Sequence, residues 1–504
     1  MFGLDARSLS LFRVGLAVVV LGDLAVRACD LRTFYSDDGV LPRALVVERL
    51  WHPGYFSLHL ASGAVWFEGL LFVVAAAFAV CLAVGYRTRV ATIASWALLV
   101  SLQNRNPEVL SSADVLLRVL LFWAMFLPLG ARASLDARRG AFDEDSSRDD
   151  LVASAGTVAL LVQTASVYVF AGLMKLEDGT WRDGTGLVYA IRAPEFATWL
   201  SLHASGDVAF WSGVGRVVPY VEILGPLLLL SPIRPALCKG LAVVIFFSFH
   251  LGIALFMSIG IFAPVSLVMW LAFVPSTAWD RLAFAWDRRF APLVASGAPL
   301  PSPRRDPPSR APPIKSLSVV NAMRRGVSDS SNAVCLALAA AVVFWNLNTV
   351  RPGLFVVPEA QNRLFAALRL DQRWDMFSRP ILASHWLVMP ARLRSGALVD
   401  LRTGEPVSWA RPDVVSRTFS NDRWRKYLLT LEGRQQEAER LAYARALCNE
   451  WNAVHSPSDA LEAFKLYAVH VPTLPWGPVG GPARSVVFEA ECSGGLLRKW
   501  GATL

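Results

Sequence analysis

The sequence predicts an α-helical multi-pass membrane bundle of about eight or nine spans, followed by a C-terminal extracytoplasmic α+β domain. Of the 504 residues, 54% are hydrophobic and 18% are charged, whereas soluble domains carry about 25% charged residues. The mean hydropathy is +0.42. The apolar residues are concentrated in runs of about 17–25, the length that crosses the hydrocarbon core of a bilayer. A proline-rich segment follows most of these runs, and the C-terminal part beyond the last one has the mixed patterns of strands and helices.

The apolar runs carry apolar residues around the whole helix, as buried or lipid-facing helices do. We predict spans near 9–28, 63–84, 89–103, 112–130, 152–174, 212–231, 237–257, 261–275 and 332–350. No cleavage site follows the first run, so we expect it to stay in the protein as a span.

The positively charged residues predict the orientation, because cytoplasmic loops are enriched in Lys and Arg. With nine spans, the most basic connections all fall on one side; they contain Arg7, Arg87, Arg89, Arg132, Arg138, Arg139, Arg148, Arg234, Lys239 and nine basic residues from Arg281 to Arg325. That side is predicted to be cytoplasmic, with the N-terminus. The net charge of +9 therefore favours membrane orientation over nucleic-acid binding.

Four segments are predicted along the chain. Residues 1–290 form the transmembrane bundle, and residues 291–331 form a Pro/Arg-rich cytoplasmic linker. The stretch 292–313 contains eight prolines and few large apolar residues, a composition that cannot bury a core. Residues 332–350 form the last span, and residues 351–504 form the extracytoplasmic domain.

The C-terminal domain is predicted from local patterns. "SHWLVMPARL" and "GALVDLRTGEPVSW" alternate apolar and polar residues around "RSG" and predict a hairpin. "RQQEAERLAYARALCNEWNAV" has helical spacing, and two further strands are expected in "LEAFKLYAVHV" and "ARSVVFEAECS". Cys448 and Cys492 are expected either to form a disulfide in an oxidising compartment or to remain as two core thiols. The six cysteines form no CxxC and no zinc-type spacing, so no metal site is predicted.

Ionisable residues inside membrane spans are costly, and each one is therefore a candidate functional residue. The spans contain Arg13, Asp23, Glu68, Asp114, Arg118, Glu222 and His250. The structural alternative is that these groups pair with each other or with backbone carbonyls. Asp114 and Arg118 are four residues apart on one helix face, and we expect them to pair. A histidine such as His250 more often packs with hydrogen bonds than catalyses a reaction, although it titrates in the useful range.

Lys175 is the strongest candidate for a catalytic residue. It lies in "YVFAGLMKLEDGTWRDG" at the end of a span, seven residues after Tyr168 on the same helix face. Ala171 and Gly172 between them allow close helix packing. A lysine desolvated there becomes a neutral amine that can act as a general base. The alternative is that Lys175 reaches the headgroups beside an aromatic belt that includes Trp181, or pairs with Asp178.

This stretch resembles the span-end motif of the vitamin K-dependent gamma-carboxylase family and of the related bacterial HTTM (horizontally transferred transmembrane) domain proteins. Further similar stretches are "LSLFRVGLAVVVLGD" with Arg13, "FYSDDGVLP" with Asp37, "DVLLRVLLFWAMFLPLGARASLD" with Asp114 and Arg118, "FHLGIALFMSIGIF" with His250, and "DQRWDMFSRP". The resemblance covers residues 8–275 most closely. One departure is "SLQNRNPEVLSSAD", which has no histidine where carboxylases carry an Asn-His-x-Tyr-type stretch.

The resemblance implies a multi-helix membrane enzyme that modifies a secreted peptide or protein. In the carboxylase, the motif lysine deprotonates reduced vitamin K, oxygen converts the quinone into a strong base, and a glutamate loses its γ-proton so that carbon dioxide adds. Lys175 matches that lysine, and Tyr168, Arg13, Asp37, Asp114, Arg118, Trp181, Glu222 and His250 are the expected supporting or pocket residues. The implied cofactor is a reduced menaquinone or vitamin K-type quinone, without a metal.

A second hypothesis is non-catalytic. Some proteins that resemble this one take part in making or resisting secreted bacterial peptide toxins. In that role the bundle would bind a peptide or a partner membrane protein. A transporter is a weaker alternative, because no paired interrupted helices or inverted halves are evident.

Overall fold

The computed structural model describes residues 2–139, 151–294, 329–433 and 436–492. Helices dominate it, and a sheet lies in the C-terminal part. The helices are α1 (Ala6–Cys29), α2 (Leu31–Tyr35), α3 (Val65–Val84), α4 (Thr88–Arg105), α5 (Ser112–Ala124), α6 (Ala155–Glu177), α7 (Gly179–Asp183), α8 (Thr185–Arg192), α9 (Trp199–Ala204), α10 (Val208–Leu224), α11 (Pro235–Phe256), α12 (Phe262–Leu271), α13 (Ser276–Val294), α14 (Asp329–Val350), α15 (Glu359–Leu368), α16 (Asp422–Thr430) and α17 (Glu437–Val454). Short helical turns at Arg43–Leu45 and Leu135–Arg138 add to these.

Each predicted span coincides with a helix of the described chain, namely α1, α3, α4, α5, α6, α10, α11, α12 and α14. Six are long and apolar enough to cross a membrane by length and composition: α1, α3, α6, α10 with its 3-10 extension to Leu230, α11 and α14. A seventh candidate is the pair α12 and α13, which is bent by 87°. The count of eight or nine spans stays a prediction, because α4 and α5 do not meet the same criteria.

α5 is apolar but only 13 residues long, which is too short to cross a membrane, whereas α4 is long enough but contains many polar residues. Eleven of the 13 residues of α5 are buried. The last residues of α4, from Gln103 to Arg105, are buried as well and bond to loop carbonyls and to neighbouring helices. A helix that other helices shield from lipid does not need an apolar surface, so polar residues are tolerated there.

The two ends of the bundle are fixed by contacts between distant segments. At the end where α1 begins, here called the N-terminal end, β1 (Leu4–Asp5) pairs with β2 (Leu151–Val152) just before α6. Lys239 at the start of α11 donates from Nζ to the carbonyl of Gly3 over 2.6 Å. The opposite end, here called the domain end, carries the C-terminal domain, where Trp424 donates to the Asp30 carboxylate after α1 over 2.9 Å.

The C-terminal domain is built on one long central strand, β6 (Leu461–Leu474). One edge of β6 pairs antiparallel with β3 (Ala383–Val388) and then β4 (Pro390–Leu393), and the other edge pairs with β8 (Ala483–Glu491). β5 (Leu398–Asp400) forms the predicted hairpin with β4, and β7 (Gly477–Pro478) extends the sheet beside β6. The strands and the helix α17 predicted from the sequence are therefore present.

A disulfide joins Cys448 on α17 to Cys492 after β8, with Cα atoms 5.7 Å apart. Of the two alternatives that the sequence left open, a disulfide or two core thiols, the structure has the disulfide. The predicted linker, residues 291–331, lies largely outside the described residues. Its first residues, up to Val294, belong to α13, and its last residues, from Asp329, belong to α14.

Candidate functional site

A cavity of about 690 Å³ lies at the domain end, between the bundle and the C-terminal domain. Its bundle walls come from α6, α8, α10 and α11, and its opposite wall comes from α16 and the segment before β3. Most of the lining is apolar, and it includes Val167, Ala171, Leu187, Ile191, Phe196, Val218, Phe249, Ile253, Phe256 and Met376. Apolar cavities of this size with a few polar groups are typical of small-molecule and cofactor sites.

Lys175 and Glu222 form an ion pair in the wall of this cavity. Lys175 on α6 is 5% exposed, and its Nζ donates to both carboxylate oxygens of Glu222 on α10, at 2.9 and 2.8 Å. Nζ also lies 5.4 Å from the ring centre of Trp181, which lines the cavity as well. Lys175 therefore does not extend to the membrane surface, and its partner is Glu222 and not Asp178. The Asp178 carboxylate instead accepts from the backbone of Thr180 at the start of α7.

The close packing of α6 on α10 brings this pair together. A Cβ atom on Gly172 would lie 2.7 Å from the carbonyl oxygen of Pro219 and 3.2 Å from the Cβ of Glu222. Only a glycine allows the two backbones to approach this closely. The small residues noted in the sequence thus position the lysine beside its carboxylate.

Tyr168, His250 and Trp270 form a hydrogen-bonded chain next to the ion pair. Trp270 Nε1 donates to the Tyr168 hydroxyl over 2.6 Å, and the hydroxyl is 2.6 Å from His250 Nε2. Since indole can only donate, the Tyr168 hydroxyl accepts from Trp270, and it donates its own hydrogen to His250 Nε2 in the tautomer of His250 that leaves Nε2 without a hydrogen. In that tautomer, neutral His250 carries its hydrogen on Nδ1. That buried atom has no hydrogen-bond partner in the described chain, although His250 lines the cavity.

The C-terminal domain contributes a basic side to the cavity. Arg379, Arg425 and Lys426 line it, together with a single carboxylate of this domain, Asp422. Arg425 donates to the carbonyl of Ser258 over 2.5 Å and lies 4.6 Å over the ring of Phe196. Burial lowers the pKa of Arg425 from its usual value. Because Lys175 and Glu222 neutralise each other, the cavity has an excess of positive charge that favours an acidic ligand.

Four of the expected site residues do not line the cavity: Arg13, Asp37, Asp114 and Arg118. Arg13 lies at the N-terminal end, where its guanidinium donates to the carbonyls of Leu129 and Ala133 at 3.0 and 2.6 Å. Asp37 lies in the loop after α2 and forms an ion pair with Arg43 at 2.7 Å. Both contacts hold segments of the bundle together, and neither residue lines the cavity.

The expected pairing of Asp114 with Arg118 is wrong. Arg118 donates to the carbonyls of Arg369 and Asp371, at 2.9 and 2.6 Å, and its guanidinium lies 3.2 Å from the Asp371 carboxylate. Asp114 is 2.5 Å from Arg27 of α1. The spacing on one helix predicted a local pair, but partners from other elements reach both side chains.

Asp114 belongs to a closed ring of four buried charges. Arg27 bridges Asp23 and Asp114 at 2.8 and 2.5 Å, and Arg423 of α16 bridges the same two carboxylates at 2.6 and 2.5 Å. All four side chains are at most 2% exposed. The ring attaches α16, which lines the cavity through Asp422, Arg425 and Lys426, to α1 and α5 of the bundle.

Three side chains of "SLQNRNPEVLSSAD", the segment that departs from the carboxylase pattern, form hydrogen bonds to loop carbonyls. Asn104 donates to the carbonyl of Phe56 over 2.8 Å, Arg105 to that of Leu41 over 2.8 Å, and Asn106 to that of Phe34 over 2.9 Å. These side chains hold the loops at the domain end, and they do not line the cavity. Ser111, Ser112 and Ala113, near the end of the same segment, do line the cavity.

Sequence analysis missed three functional candidates. The basic run "NDRWRKY" supplies Arg425 and Lys426, but its position over the bundle could not be inferred from a span pattern. His59 was not among the sequence candidates, and it forms a second buried pair at 2.5 Å with Glu68, an ionisable residue that the sequence did single out; this pair lies away from the cavity. Glu195 is buried in the loop after α8, and burial raises the pKa of its carboxyl.

The family comparison agrees with the sequence resemblance. A family model described as the HTTM domain matches residues 4–279, which is more than half of the chain. No curated protein and no solved structure matches the chain. The matched range covers every bundle helix up to α12, and with it the Lys175–Glu222 pair and the Tyr168–His250 contact. The chain therefore belongs to the HTTM domain family.

Proposed function

We propose that this HTTM protein is a carboxylase-like membrane enzyme that binds a quinol of the menaquinone or vitamin K type in the cavity and modifies an acidic segment of a secreted peptide or protein. The observation that carries the proposal is the Lys175–Glu222 pair in the wall of a large apolar cavity. A structural ion pair needs no cavity beside it, whereas a base needs a place for the group that it deprotonates.

The residues of the cavity fit a quinol. Apolar side chains match its ring and isoprenoid chain, and the volume of about 690 Å³ lies in the range of small-molecule sites. The buried Nδ1 of His250 has no hydrogen-bond partner in the described chain, and in the tautomer that places the hydrogen on Nδ1 a ring oxygen would accept it. When bound, a quinol supplies hydroxyl protons and two electrons for an oxidation.

The Lys175–Glu222 pair can hold a proton in two arrangements. With the proton on Nζ, the pair is an ammonium and a carboxylate; with the proton on Glu222, it is a neutral amine and a carboxylic acid. Both arrangements have no net charge, so the low dielectric of the cavity does not prevent the exchange. The neutral amine is the form that accepts a proton from a ligand. The sequence predicted that desolvation alone would make Lys175 a neutral amine. In this proposal, proton transfer from Nζ to Glu222 produces the neutral amine instead.

The basic side of the cavity supports an acidic substrate. Arg379, Arg425 and Lys426 come from the C-terminal domain, so a peptide would enter between this domain and the bundle. We place this domain outside the cell and the N-terminus in the cytoplasm. The Cys448–Cys492 disulfide supports this orientation, because disulfides persist in oxidising compartments.

The test compares quinol oxidation in membranes that contain wild-type protein or Lys175→Ala. A reduced menaquinone is added under oxygen, and its consumption is followed by chromatography. We expect consumption above that of membranes without the protein, and at least a hundredfold loss in Lys175→Ala, in line with the loss of a general base. Lys239→Ala is the matched control, because it removes another buried lysine at the opposite end of the bundle. Equal consumption by wild type and Lys175→Ala would reject Lys175 as the base.

The second candidate function is non-catalytic binding of a peptide or partner protein in toxin maturation or immunity. The bidentate contact of Lys175 with Glu222 favours it, since such a pair is also a stable structural element. On this alternative, wild-type membranes consume no quinol, and a Lys175→Met/Glu222→Leu double variant that folds keeps its cellular effect. Loss of that effect in a folded double variant would support the catalytic proposal.

A further inference from the structure

A cluster of His385, Glu432 and His470 lies in the C-terminal domain. His385 on β3 and His470 on β6 are direct partners across the antiparallel strands. Directly opposite residues project from the same face of a sheet, and the two imidazole rings are stacked with centres 5.0 Å apart. Glu432 reaches this face from the turn after α16. One potential ligand atom from each residue lies within 4.8 Å of the other two.

The hydrogen bonding of this cluster is incomplete. His385 Nε2 and Glu432 Oε1 are 3.1 Å apart and form an ion pair when His385 is protonated, but neither atom has a hydrogen bond of normal geometry in the described chain. The His385 side chain is 8% exposed, so water does not compensate freely for the missing bond. His470 Nε2 has only a contact of 3.3 Å with the Ser485 hydroxyl. Two buried atoms that converge without a hydrogen bond of normal geometry, His385 Nε2 and Glu432 Oε1, indicate a site for another group.

A second carboxylate lies near the cluster. The charge on Glu195 interacts with those of His385 and Glu432, and Glu195 Oε2 is also buried without a hydrogen-bond partner in the part of the chain that the structure describes. Glu195 belongs to the loop between α8 and α9, whose Ala193 and Phe196 line the cavity. The cluster, with the carboxylate of Glu432 as its negatively charged member, therefore lies close to the wall of the cavity.

We propose that His385, Glu432 and His470 bind one divalent cation of the zinc type. Two imidazole nitrogens and one carboxylate oxygen are a ligand set found at zinc sites with a fourth, open position. Imidazole ligands favour zinc and neighbouring transition metals, whereas calcium and magnesium favour oxygen alone. Ligand atoms around a tetrahedral zinc with bonds of about 2.1 Å are about 3.4 Å apart, so side-chain rotation closes the cluster onto the ion. This assignment departs from the sequence prediction, which found no metal spacing.

The site has a structural consequence for the cavity. Glu432 follows Leu429 and Thr430, two residues of α16 that line the cavity. A cation bound to Glu432 and to both histidines ties the C-terminal end of α16 to the sheet. The ring of charges around Arg423 holds the beginning of the same helix on the bundle. The cation thereby fixes the second end of the helix that carries the basic wall.

The experiment titrates zinc into the full-length protein in detergent, after removal of any histidine tag and treatment with a chelator. Calorimetry and elemental mass spectrometry give the affinity and the stoichiometry. We expect one zinc per chain and a higher unfolding temperature with zinc, because a ligand of the folded state stabilises it. Glu432→Gln and His470→Gln should each weaken zinc binding at least tenfold. His455→Gln is the matched control, since His455 is an exposed histidine of the same domain, and it should bind zinc as the wild type does.

Three outcomes would overturn the assignment: no stoichiometric zinc in the wild type, calcium binding as tight as zinc binding, or unchanged zinc affinity in His385→Gln/His470→Gln. Glu432→Gln keeps the size of the side chain and removes only its charge, so it separates metal binding from folding. Its elution in gel filtration and its intact Cys448–Cys492 disulfide check the fold. Quinol consumption is not used as a readout, so the outcome is independent of the proposed function.

Discussion

Lys175 and Glu222 neutralise each other inside the bundle, where little water reaches either charge. The side chains of both are 6% exposed, and Nζ contacts both carboxylate oxygens. Removing one member of such a pair leaves an uncompensated buried charge, whereas removing both leaves an apolar contact. The two kinds of variant therefore separate the energetic role of the pair from its chemical role.

Glu222→Leu is expected to destabilise the protein by about 3–5 kcal/mol, because Lys175 is left charged without a partner. Lys175→Met/Glu222→Leu is expected to be close to the wild type in stability, since two apolar side chains of similar size pack in place of the pair. Unfolding in detergent, followed by circular dichroism, measures both changes. A double variant that is as unstable as Glu222→Leu would contradict this explanation.

The residues of the site were predictable only in part. A lysine at a span end, a tyrosine seven residues earlier and a histidine in a later span were evident as costly ionisable or polar groups. The partner of Lys175 was not, because Glu222 lies on α10, and helical spacing says nothing about which helices pack together. For Asp114 and Arg118, local spacing predicted the wrong pair, since Arg423 and Asp371 come from the C-terminal domain.

The packing of helix α6 against helix α10 places Lys175 beside Glu222. Gly172 faces Pro219 and Ile223 of α10, and the backbones touch at this point. Spans such as α6 and α10 were predictable from apolar runs, because the bilayer imposes their length. The short helices α7 and α8, which contribute Trp181, Leu187, Ala190 and Ile191 to the cavity lining, were not predicted, since they are too short to show a long apolar period.

Gly172→Ala is expected to destabilise the protein by about 1–3 kcal/mol, because the new methyl group would overlap the carbonyl oxygen of Pro219 and move the helices apart. The same change at Gly22, in α1, has no atom within 4 Å of the added Cβ and removes an unfavourable glycine from a helix. Gly22→Ala should therefore be neutral or slightly stabilising. Parallel unfolding curves in one detergent measure both effects. Equal stability of the two variants would mean that the contact between α6 and α10 does not depend on Gly172.

In the whole molecule, the C-terminal domain closes one end of the bundle through charges that the bundle buries. Arg423 enters the ring with Asp23 and Asp114, and Arg118 bonds to Asp371 just after α15. The domain and the bundle thus fold into one unit around the cavity. The sequence predicted two separate parts from composition. It did not predict their contact, because each ion pair joins residues that are hundreds of positions apart.

The orientation of this unit in the membrane is tested by labelling engineered cysteines. Asp413→Cys at the domain end and Arg138→Cys at the N-terminal end replace exposed residues, in a background in which Cys29, Cys81, Cys238 and Cys335 are alanine. A membrane-impermeant maleimide added to intact cells should label the first variant and not the second, because the basic loops beside Arg138 are expected to face the cytoplasm. Both variants should be labelled after the cells are opened, which controls for access. Labelling of Arg138→Cys alone in intact cells would reverse the topology and place the cavity on the cytoplasmic side, where a secreted substrate would have to be modified before export.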